Sequence, residues 1–579
     1  MTRRLLAFLF AIVPASLVSA QDAGLPKDFA SLVPSDSFAV VVIRSTHELA
    51  ERLEYGRTKS GQAGPTFDDA FVLKKFLDNT FPGNTSLVDA TKPLGIAFRF
   101  DAASPMPVAT FIVPAADPKA LMTSMEKKEG VEPPVQAGNY IGIPTEAGAY
   151  KRDTASRLLA DMPSGLVAAR VDLAAVILKF RPIIDMGLEQ AEGMVESGQL
   201  DQMGGGFSSS EVLEMYLEIA HDIVDSADLF DATTDVRDGS LGLNLKLLSR
   251  EGSALAKYSR PEAIDYRALA GRIDPQAAVV VISAYDQGAM FERVWPTYES
   301  MFTAMEGKEG VPAEGIAAFK AYLKHVKAML PKMGRAMGVG FDFGVDGMRL
   351  GGSYASPDPQ GFLKAMIDMM RDPAIAAMGI QAGEPTEIEL AGTKGVSFQA
   401  KFDMEKFFKV MQFGAGAVPD DTQLEIAGKV STAMFGKDGS RMVFLTGTDR
   451  TSMMFGGDDA WRTAMAKRFT SGGDTSPALA CSVGSIAGMN PAMLFQVDLG
   501  RGIGGVASWM ALVGGEEDMW SDVAEFSRKL GTQSLPASLY WGASGKTWAA
   551  GASIDFEGLL RLIKASDEPD AAKPEDKGK

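Results

Sequence analysis

The 579-residue sequence contains one cysteine and three histidines, and only 8% of its residues are aromatic. One cysteine, Cys481, cannot form an intramolecular disulfide. Any mechanism that needs a histidine base or several histidine ligands must draw on His47, His221 and His325. These scarcities argue against a disulfide-stapled protein and against a multi-histidine metal protein.

Positive charge is also scarce, because 57 lysines and arginines face 74 aspartates and glutamates, for a net charge of −17. A chain this acidic, with no basic block, is poorly suited to bind nucleic acid or an anionic membrane. Hydrophobic residues make up 46% of the chain, which is enough for folded cores. At roughly 150 residues per domain, the length suggests about four packing units.

Long hydrophobic runs are missing apart from the N-terminus, where Arg3 and Arg4 precede an apolar stretch from Leu5 to Val18. Small residues then lead to Ala20, which predicts a signal peptide of residues 1–20 that is cleaved near Ala20. The pattern favours general secretion over the twin-arginine alternative. Since no later segment reaches the roughly 20 apolar residues of a membrane span, we expect a periplasmic or secreted protein without a transmembrane segment.

A short opening element recurs along the chain, and it predicts an internal repeat. Residues Leu32 to Arg44 combine a proline turn with a β-branched run, and Arg272 to Ser283 echo them. Weaker versions occur from Met162 to Arg170 and from Pro477 to Cys481. The strong runs predict buried strands, followed by helices that begin near Thr46 and Gln287.

Hairpins with alternating apolar residues follow the helical stretches. Such alternation predicts that one face packs on helices while the other face meets water or a partner. The predicted packed faces comprise Ile96, Phe98 and Phe100; Leu241, Leu243, Leu245 and Leu247; and Val339, Phe341 and Phe343. The predicted open positions include Ala97, Arg99, Gly242, Asn244, Lys246, Gly340 and Asp342. A fourth, less regular hairpin is predicted from Leu539 to Ile554.

Three hairpins run into a helix start in which an aspartate can cap the free amide groups: Asp117-Pro118, Asp358-Pro359 and Asp555-Phe556. The predicted fold class is therefore α+β, made of duplicated strand-helix-hairpin-helix units. This order is compatible with a split β-α-β arrangement if a fourth strand returns beside the first. Candidates for that strand are Val135 to Ile143 and Gly395 to Lys401.

Unit openings near residues 32, 162, 272 and 477 predict two tandem halves, residues 30–266 and 267–565, with a junction from Tyr258 to Leu269. We attribute the extra length of the second half to an inserted hairpin from Ser431 to Thr448 and a helix from Asp458 to Phe469. Residues 566–579 are polar and charged, so they predict a disordered tail.

The opening Val33-Pro34-Ser35-Asp36-Ser37, followed by Ala39 to Val42, resembles an uncharacterised family of exported bacterial proteins, a domain of unknown function. The second version departs from this pattern at Asp274-Pro275-Gln276. The resemblance spans most of the chain after the signal segment. It implies an envelope location and no established activity, and it carries over no functional residues.

Several short motifs suggest metal sites, but each has a structural interpretation that we prefer. His47 to Glu51 resembles a zinc-protease helix without its second histidine, and Ser45 with Glu48 reads as a capping box. Glu218, His221 and Asp225 have di-iron spacing without the required second set, which favours a wet acidic helix face. Met366, Met369 and Met370 could bind copper, yet their spacing is typical of core packing. Calcium remains possible in the acidic loop from Asp449 to Asp459.

Three further motifs suggest phosphate or serine chemistry. Residues Gly542 to Thr547 resemble a phosphate-binding loop but read as a hairpin tip. The segment Gly351 to Ala355, with Ser353 at its centre, resembles a nucleophile elbow but lies in a predicted strand. Ser124 to Lys127 matches a serine-x-x-lysine pair without the accompanying motifs. We read His325 as exposed and Cys481 as a buried residue of a strand.

No coherent catalytic, cofactor or metal set emerges from these residues, so we assign none. The sequence is most consistent with an exported noncatalytic binding or structural protein of the bacterial envelope, whose partner is a protein, a peptide or an envelope polymer. One alternative is an envelope hydrolase with a site built from distant residues, such as Ser353, His325 and an acid. Another is a carrier of apolar ligands, which requires a continuous apolar cavity.

Overall fold

The computed structural model describes residues 24–60, 65–77, 84–100, 107–125, 133–145, 157–197, 209–237, 240–253, 264–284, 313–344, 347–410, 421–436, 438–485, 492–502 and 534–567, with single residues between 295 and 306. The chain divides into two compact units. The first contains residues 1–184, 223–259 and 545–579, and the second contains 185–222 and 260–544. The change of unit at residue 260 lies within the predicted junction, whereas the last 35 residues (545–579) fall in the first unit.

The described strands are β1 (Ser37–Ile43), β2 (Leu94–Phe100), β3 (Pro107–Pro114), β4 (Val135–Ala137), β5 (Tyr140–Pro144), β6 (Val167–Asp172), β7 (Ala227–Arg237), β8 (Ser240–Ser249), β9 (Val279–Ser283), β10 (Met337–Gly344), β11 (Gly347–Ala355), β12 (Ile380–Ala382), β13 (Thr386–Leu390), β14 (Thr393–Phe402), β15 (Ser440–Thr446), β16 (Arg450–Phe455), β17 (Met493–Asp498), β18 (Pro536–Ser544) and β19 (Thr547–Asp555).

The described helices are α1 (Lys27–Ala30), α2 (Thr46–Ser60), α3 (Asp69–Leu77), α4 (Pro118–Ser124), α5 (Leu173–Glu196), α6 (Ser209–Ser226), α7 (Tyr266–Ala270), α8 (Ala313–Met329), α9 (Pro359–Met370), α10 (Pro373–Ala377), α11 (Met404–Val410), α12 (Asp421–Phe435), α13 (Asp459–Ser471), α14 (Pro477–Ser485) and α15 (Phe556–Asp567). These elements confirm the mixed α+β class. No helix among the described residues is both long and apolar enough to cross a membrane.

The first unit is built on an antiparallel sheet in the order β19-β8-β7-β6-β1-β2-β3-β5-β4. Strand β1 has the predicted β-branched sequence, and both of its edges are hydrogen-bonded. One sheet face carries Val40, Val42 and Ile112, which pack with Phe29 and Leu32 from the segment before β1. The opposite face carries Phe111 and Ile141, and its cluster includes side chains of α3 and α4.

The second unit contains an antiparallel sheet in the order β18-β17-β9-β10-β11-β16-β15-β14, with β12 and β13 on the outer edge of β14. Its central strand β9 is hydrogen-bonded on both edges. One face packs with α7, where Ile273 contacts Val280 and Ile282 in one cluster. The other face forms the largest core, which includes Phe362 of α9 and Phe444 of β15.

The segments that open the two units share a hydrogen-bond pattern at a constant numerical offset. In the first unit, Leu32 N donates to Phe29 O, Val33 N to Ala30 O and Ser37 N to Pro34 O. In the second unit, Arg272 N donates to Leu269 O, Ile273 N to Ala270 O and Ala277 N to Asp274 O. The flanking strands agree, because β1 lies between β2 and β6 as β9 lies between β10 and β17.

The predicted fourth strands are wrong in position. Strand β5, which overlaps the segment Val135 to Ile143, pairs with β3 and β4. Strand β14, which contains the segment Gly395 to Lys401, pairs with β12, β13 and β15. The strands beside β1 and β9 are β6 and β17 instead. In a split β-α-β unit the two strands joined by a helix run parallel and a third strand lies between them. Here β1 and β2, and likewise β9 and β10, are direct antiparallel neighbours although helices connect them, so the split arrangement does not form.

The predicted open sheet face is also wrong at several positions. Arg99 is 8% exposed, Ala97 is 1% exposed and Asp342 is 6% exposed, because this face of each sheet is covered by other segments of its unit. On the predicted packed face, Leu243 is 42% exposed. Alternation in a hairpin shows that the two faces differ, but it does not show which of them the rest of the chain covers.

Two other segments differ from the predictions. Residues 477–485 form α14 rather than a strand, since Ser476 caps the amide of Leu479. The predicted hairpin from Ser431 to Thr448 is displaced, because residues 431–435 end α12 and the hairpin is β15 with β16.

The predicted helix from Asp458 to Phe469 is confirmed as α13, with Asp458 as its cap.

The predicted aspartate caps are confirmed. Asp117, Asp358 and Asp555 accept hydrogen bonds from the amides of Ala120, Gly361 and Gly558 at 3.0, 2.9 and 3.1 Å. The signal peptide, the helix start near Gln287 and residues 568–579 of the tail lie outside the described residues.

One buried ion pair in the first unit tests how its polar interior is stabilised. Arg170 Nε lies 2.6 Å from Asp231 Oδ1, and the two side chains are 5% and 6% exposed. Removing Asp231 leaves the buried positive charge of Arg170 without its carboxylate partner. Asp231→Ser should therefore lower the free energy of unfolding by about 3–5 kcal/mol in urea titrations. The double change Arg170→Gln with Asp231→Ser should recover most of that loss, because the corresponding pair of β17 and β18 is Gln496 opposite Ser538.

Asp225→Ser provides the matched control, because the Arg181 and Asp225 side chains are 42% and 59% exposed. An exposed pair of this kind should contribute less than about 1 kcal/mol. Equal losses for Asp231→Ser and Asp225→Ser would contradict the prediction.

Candidate functional site

A cleft in the second unit brings together polar side chains from three separate parts of the chain. Its volume is about 340 Å³. The lining comes from α7 and the residues around it, from Ala336 before β10, from the end of β11 and from the start of β16: Ile264, Asp265, Ala268, Leu269, Arg272, Ala336, Ser353, Ala355 and Arg450.

Sheet register places the strand residues of this cleft. Ser353 pairs with Gly338 on β10 and with Ser452 on β16, while Ala355 pairs with Arg450. Residues two apart on a strand share a face, so Ser353 and Ala355 point the same way. A Cβ on Gly338 would lie 3.0 Å from the Ile273 side chain, so a larger residue there would press on the segment that carries Arg272.

Arg272 is held by main-chain oxygens. Its Nη1 donates to Ala268 O at 2.9 Å, and its Nε donates to Phe469 O at 3.4 Å. Burial lowers the pKa of Arg272, and the nearby positive charge of Arg450 lowers it further. No ion pair of Arg272 occurs within the part of the chain that the structure describes. Among the described residues, the carboxylates of Asp449 and Asp265 partly offset its positive charge from a greater distance.

Arg450 has a direct carboxylate partner. Its Nε and Nη2 donate to the two oxygens of Asp449 at 2.7 and 2.5 Å, and this hydrogen-bonded contact raises the pKa of Arg450. Asp265, on the other side of the cleft, accepts a hydrogen bond from Ala268 N at 2.9 Å as the cap of α7. The cleft thus combines two guanidinium groups and one hydroxyl with small apolar side chains, a set that can hold an anionic group.

The predicted metal motifs are engaged in local contacts. His47 lies 3.1 Å from Asp69 and 3.4 Å from Glu51, and Ser45 Oγ accepts from Glu48 N as predicted for a cap. His221 contacts Glu192 at 2.8 Å. Among the described residues, no three histidine, cysteine or acidic side chains are placed to hold a metal ion.

The methionine and calcium candidates serve packing and capping. Met369 and Met370 lie in the core of the second unit, and Met366 packs against it. In the acidic loop, Asp449 contacts Arg450, Asp458 caps α13 and Asp459 contacts Arg462 at 2.9 Å.

The serine and phosphate candidates have mixed outcomes. Gly545 has a φ of +58° at the turn between β18 and β19, which fits the predicted hairpin tip. Ser353 lies in β11 as predicted and lines the cleft, whereas Ser124 Oγ donates to Leu121 O. His325 is 20% exposed in its side chain and contacts Asp372 at 2.7 Å, so its predicted exposure is wrong. Cys481 lies on α14, and its side chain is outside the described residues.

Sequence reasoning missed Arg272 and Arg450 as site residues. Neither belongs to a recognised motif, and each lies next to an ordinary turn. One signal was available for Arg272, because it occupies the place of Leu32 in the repeated opening. Arg450 has no comparable signal before the strand register is known.

Comparisons with known proteins add little to this description. No protein-family model matches the chain, and no curated protein matches it. Two solved structures, crystal forms III and I of TP0453, are each 10% identical to this chain. They cover 52% and 53% of it and 99% and 98% of their own chains, with TM-scores of 0.22 and 0.21. At these TM-scores the likeness bears on neither fold nor function.

The contact between His325 and Asp372 gives a titration test. The hydrogen bond from His325 lowers the pKa of Asp372, as does the amide of Ala374. His325→Leu removes this donor and should therefore raise the pKa of Asp372 toward the ordinary value of about 3.9, measured by carboxyl-carbon NMR. The stabilisation from a lowered carboxyl pKa is present above the unfolded-state value and is lost as the pH falls through the folded-state value. His47→Leu serves as the control, and a pKa of Asp372 that does not change in His325→Leu would disprove the coupling.

Proposed function

We propose that this chain is an exported, noncatalytic binding protein of the bacterial envelope, and that its ligand occupies the cleft of the second unit. The observation that carries the proposal is the placement of Arg272 and Arg450 on one small cleft, although the chain as a whole is acidic. Arginine side chains recognise carboxylates and phosphates through their planar array of donors. The one carboxylate that lines the cleft, Asp265, is engaged as the cap of α7.

An envelope location is supported by the sequence. Residues 1–20 have the charged start, apolar run and small-residue end of a signal peptide. The resemblance of Val33 to Ser37 and the following strand to an uncharacterised family of exported proteins agrees with it. Export would place the cleft among the proteins, peptides and polymers of the envelope.

We also propose that the two halves of the chain arose by duplication of one building block. The matching hydrogen bonds before β1 and β9 support this, and so do the matching neighbours of these strands. The segments Gly95 to Phe100 and Gly338 to Phe343 support it as well, because both have aromatic residues at alternate positions of the second strand. A duplicated scaffold allows one copy to keep a packed core while the other acquires a binding site.

The alternatives receive less support from the cleft. A hydrolase built on Ser353 and His325 would need these two side chains in one site. Ser353 lines the cleft, whereas His325 contacts Asp372, the N-cap residue of α10. A carrier of purely apolar ligands would not need two arginines in its site.

The proposal predicts binding without reaction. Purified protein would be dialysed to equilibrium against soluble peptidoglycan fragments, and the fragments would then be weighed by mass spectrometry. We expect retention of fragments at unchanged mass, with weaker retention by Arg272→Leu. Arg371→Leu is the matched control, because Arg371 is an arginine of the same unit that contacts the exposed Glu384.

Two results would contradict the proposal, and a third would reject peptidoglycan fragments as its ligand. Fragments of lower mass would indicate a hydrolase. Full retention by Arg272→Leu would show that the cleft is not the site. Absence of retention by the unaltered protein would exclude peptidoglycan fragments as the ligand.

A further inference from the structure

The two units carry different residues at three structurally matched positions around the cleft. Arg272 matches Leu32, because their amides donate to Leu269 O and Phe29 O in the same turn. Ser353 matches Ile112, because they pair with Gly338 and Gly95 at the same place in the hairpin.

The third match joins Arg450 to Tyr140. In the first unit Ala115 N donates to Asn139 O, and in the second unit Ser356 N donates to Asp449 O. Tyr140 directly follows Asn139 in the sequence and pairs with Pro114 at the end of β3. Arg450 directly follows Asp449 and pairs with Ala355 at the end of the matched strand β11.

In the first unit these positions form a closed apolar core. Leu32, Ile112 and Tyr140 are 1%, 0% and 3% exposed and belong to one cluster. Tyr140 packs edge-on against Phe29 with ring centroids 5.8 Å apart. The same backbone is therefore filled in the first unit by Leu32, Ile112 and the ring of Tyr140, whose buried hydroxyl has no hydrogen-bond partner among the described residues. In the second unit it carries a cleft instead.

The difference between the units favours a binding role for the polar residues. Exchanging three buried apolar side chains for two arginines and a serine gives up hydrophobic burial and desolvates positive charge. A charged side chain that is removed from water is commonly paired with an opposite charge, as Arg450 is with Asp449. Arg272 instead donates to two main-chain oxygens.

We propose that the cleft binds a monoanionic carboxylate that is attached to a small apolar group, as at the C-terminus of a peptide ending in a small residue. This inference rests on the proposed function and names its ligand class. Asp449 pairs with Arg450, whereas Arg272 forms no ion pair among the described residues, so one added negative charge matches the cleft better than two. Ala268, Ala336 and Ala355 leave space for a small apolar group beside the anion.

The probe for this proposal is N-acetylalanine, used as both enantiomers in ligand-observed NMR titrations against the purified full chain. N-acetylalanine amide has the same shape without the charge, and methyl phosphate at pH 8 is the dianion. We expect N-acetylalanine to bind more tightly than either of them. Because hydrogen bonds to charged groups are strong, Arg272→Leu and Arg450→Tyr should each weaken binding roughly tenfold or more.

The two substitutions introduce the residues of the first unit, so they also report on packing. Without probe, their thermal unfolding midpoints should equal or exceed that of the unaltered protein. If either variant does not fold, Arg272→Gln or Arg450→Gln replaces it and should show the same loss of binding. Arg371→Leu should bind N-acetylalanine like the unaltered protein.

Equal binding of the amide, tighter binding of the dianion, or unchanged binding by the folded arginine variants would overturn the proposal. Each of these failures is distinct from failure of the proposed function. Peptidoglycan fragments could still be retained in an Arg272-dependent manner when N-acetylalanine is not preferred, and that result would reject the ligand class alone.

Discussion

The hydrogen bonding of each central strand on both of its edges is the constraint on which the rest of the structure depends. Strand β1 is fixed between β2 and β6, and β9 is fixed between β10 and β17. Since side chains alternate along a strand, these registers decide which residues face the segment that precedes each central strand. A shift of one residue in β11 would turn Ser353 away from the cleft and direct Tyr354 into it. Gly95 allows the ring of Phe29 to pack closely against β2, because a Cβ at this position would lie 2.6 Å from that ring.

Local chemistry was predictable from the sequence where it depended on neighbours in the chain. The β-branched runs formed strands, and the aspartates before short helices formed caps. Which strands pair with one another was harder to predict from the sequence, because pairing depends on contacts between distant segments. Strand β17 was missed even though Val497-Asp498-Leu499 at its end repeats Val171-Asp172-Leu173 at the end of β6. Both aspartates end their strands and accept an amide hydrogen bond from three residues ahead.

Burial was the other quantity that sequence patterns misjudged. Arg99 and Asp342 were expected on an open face, yet coverage by other segments leaves both nearly inaccessible. The same coverage explains the candidate site. Arg272, Ser353 and Arg450 are unremarkable in sequence, and only the fold makes them the three polar residues at positions that the first unit fills with Leu32, Ile112 and Tyr140. One scaffold thus accounts both for a packed core and for a cleft.

A crystal structure of the chain soaked with N-acetylalanine would test the central claim most directly. The account predicts one probe molecule in the cleft, with its carboxylate within about 3.2 Å of guanidinium nitrogens of both Arg272 and Arg450. Its methyl group should lie against the alanine side chains of the lining. A cleft that holds only solvent at saturating probe, or a carboxylate bound away from both arginines, would contradict the account.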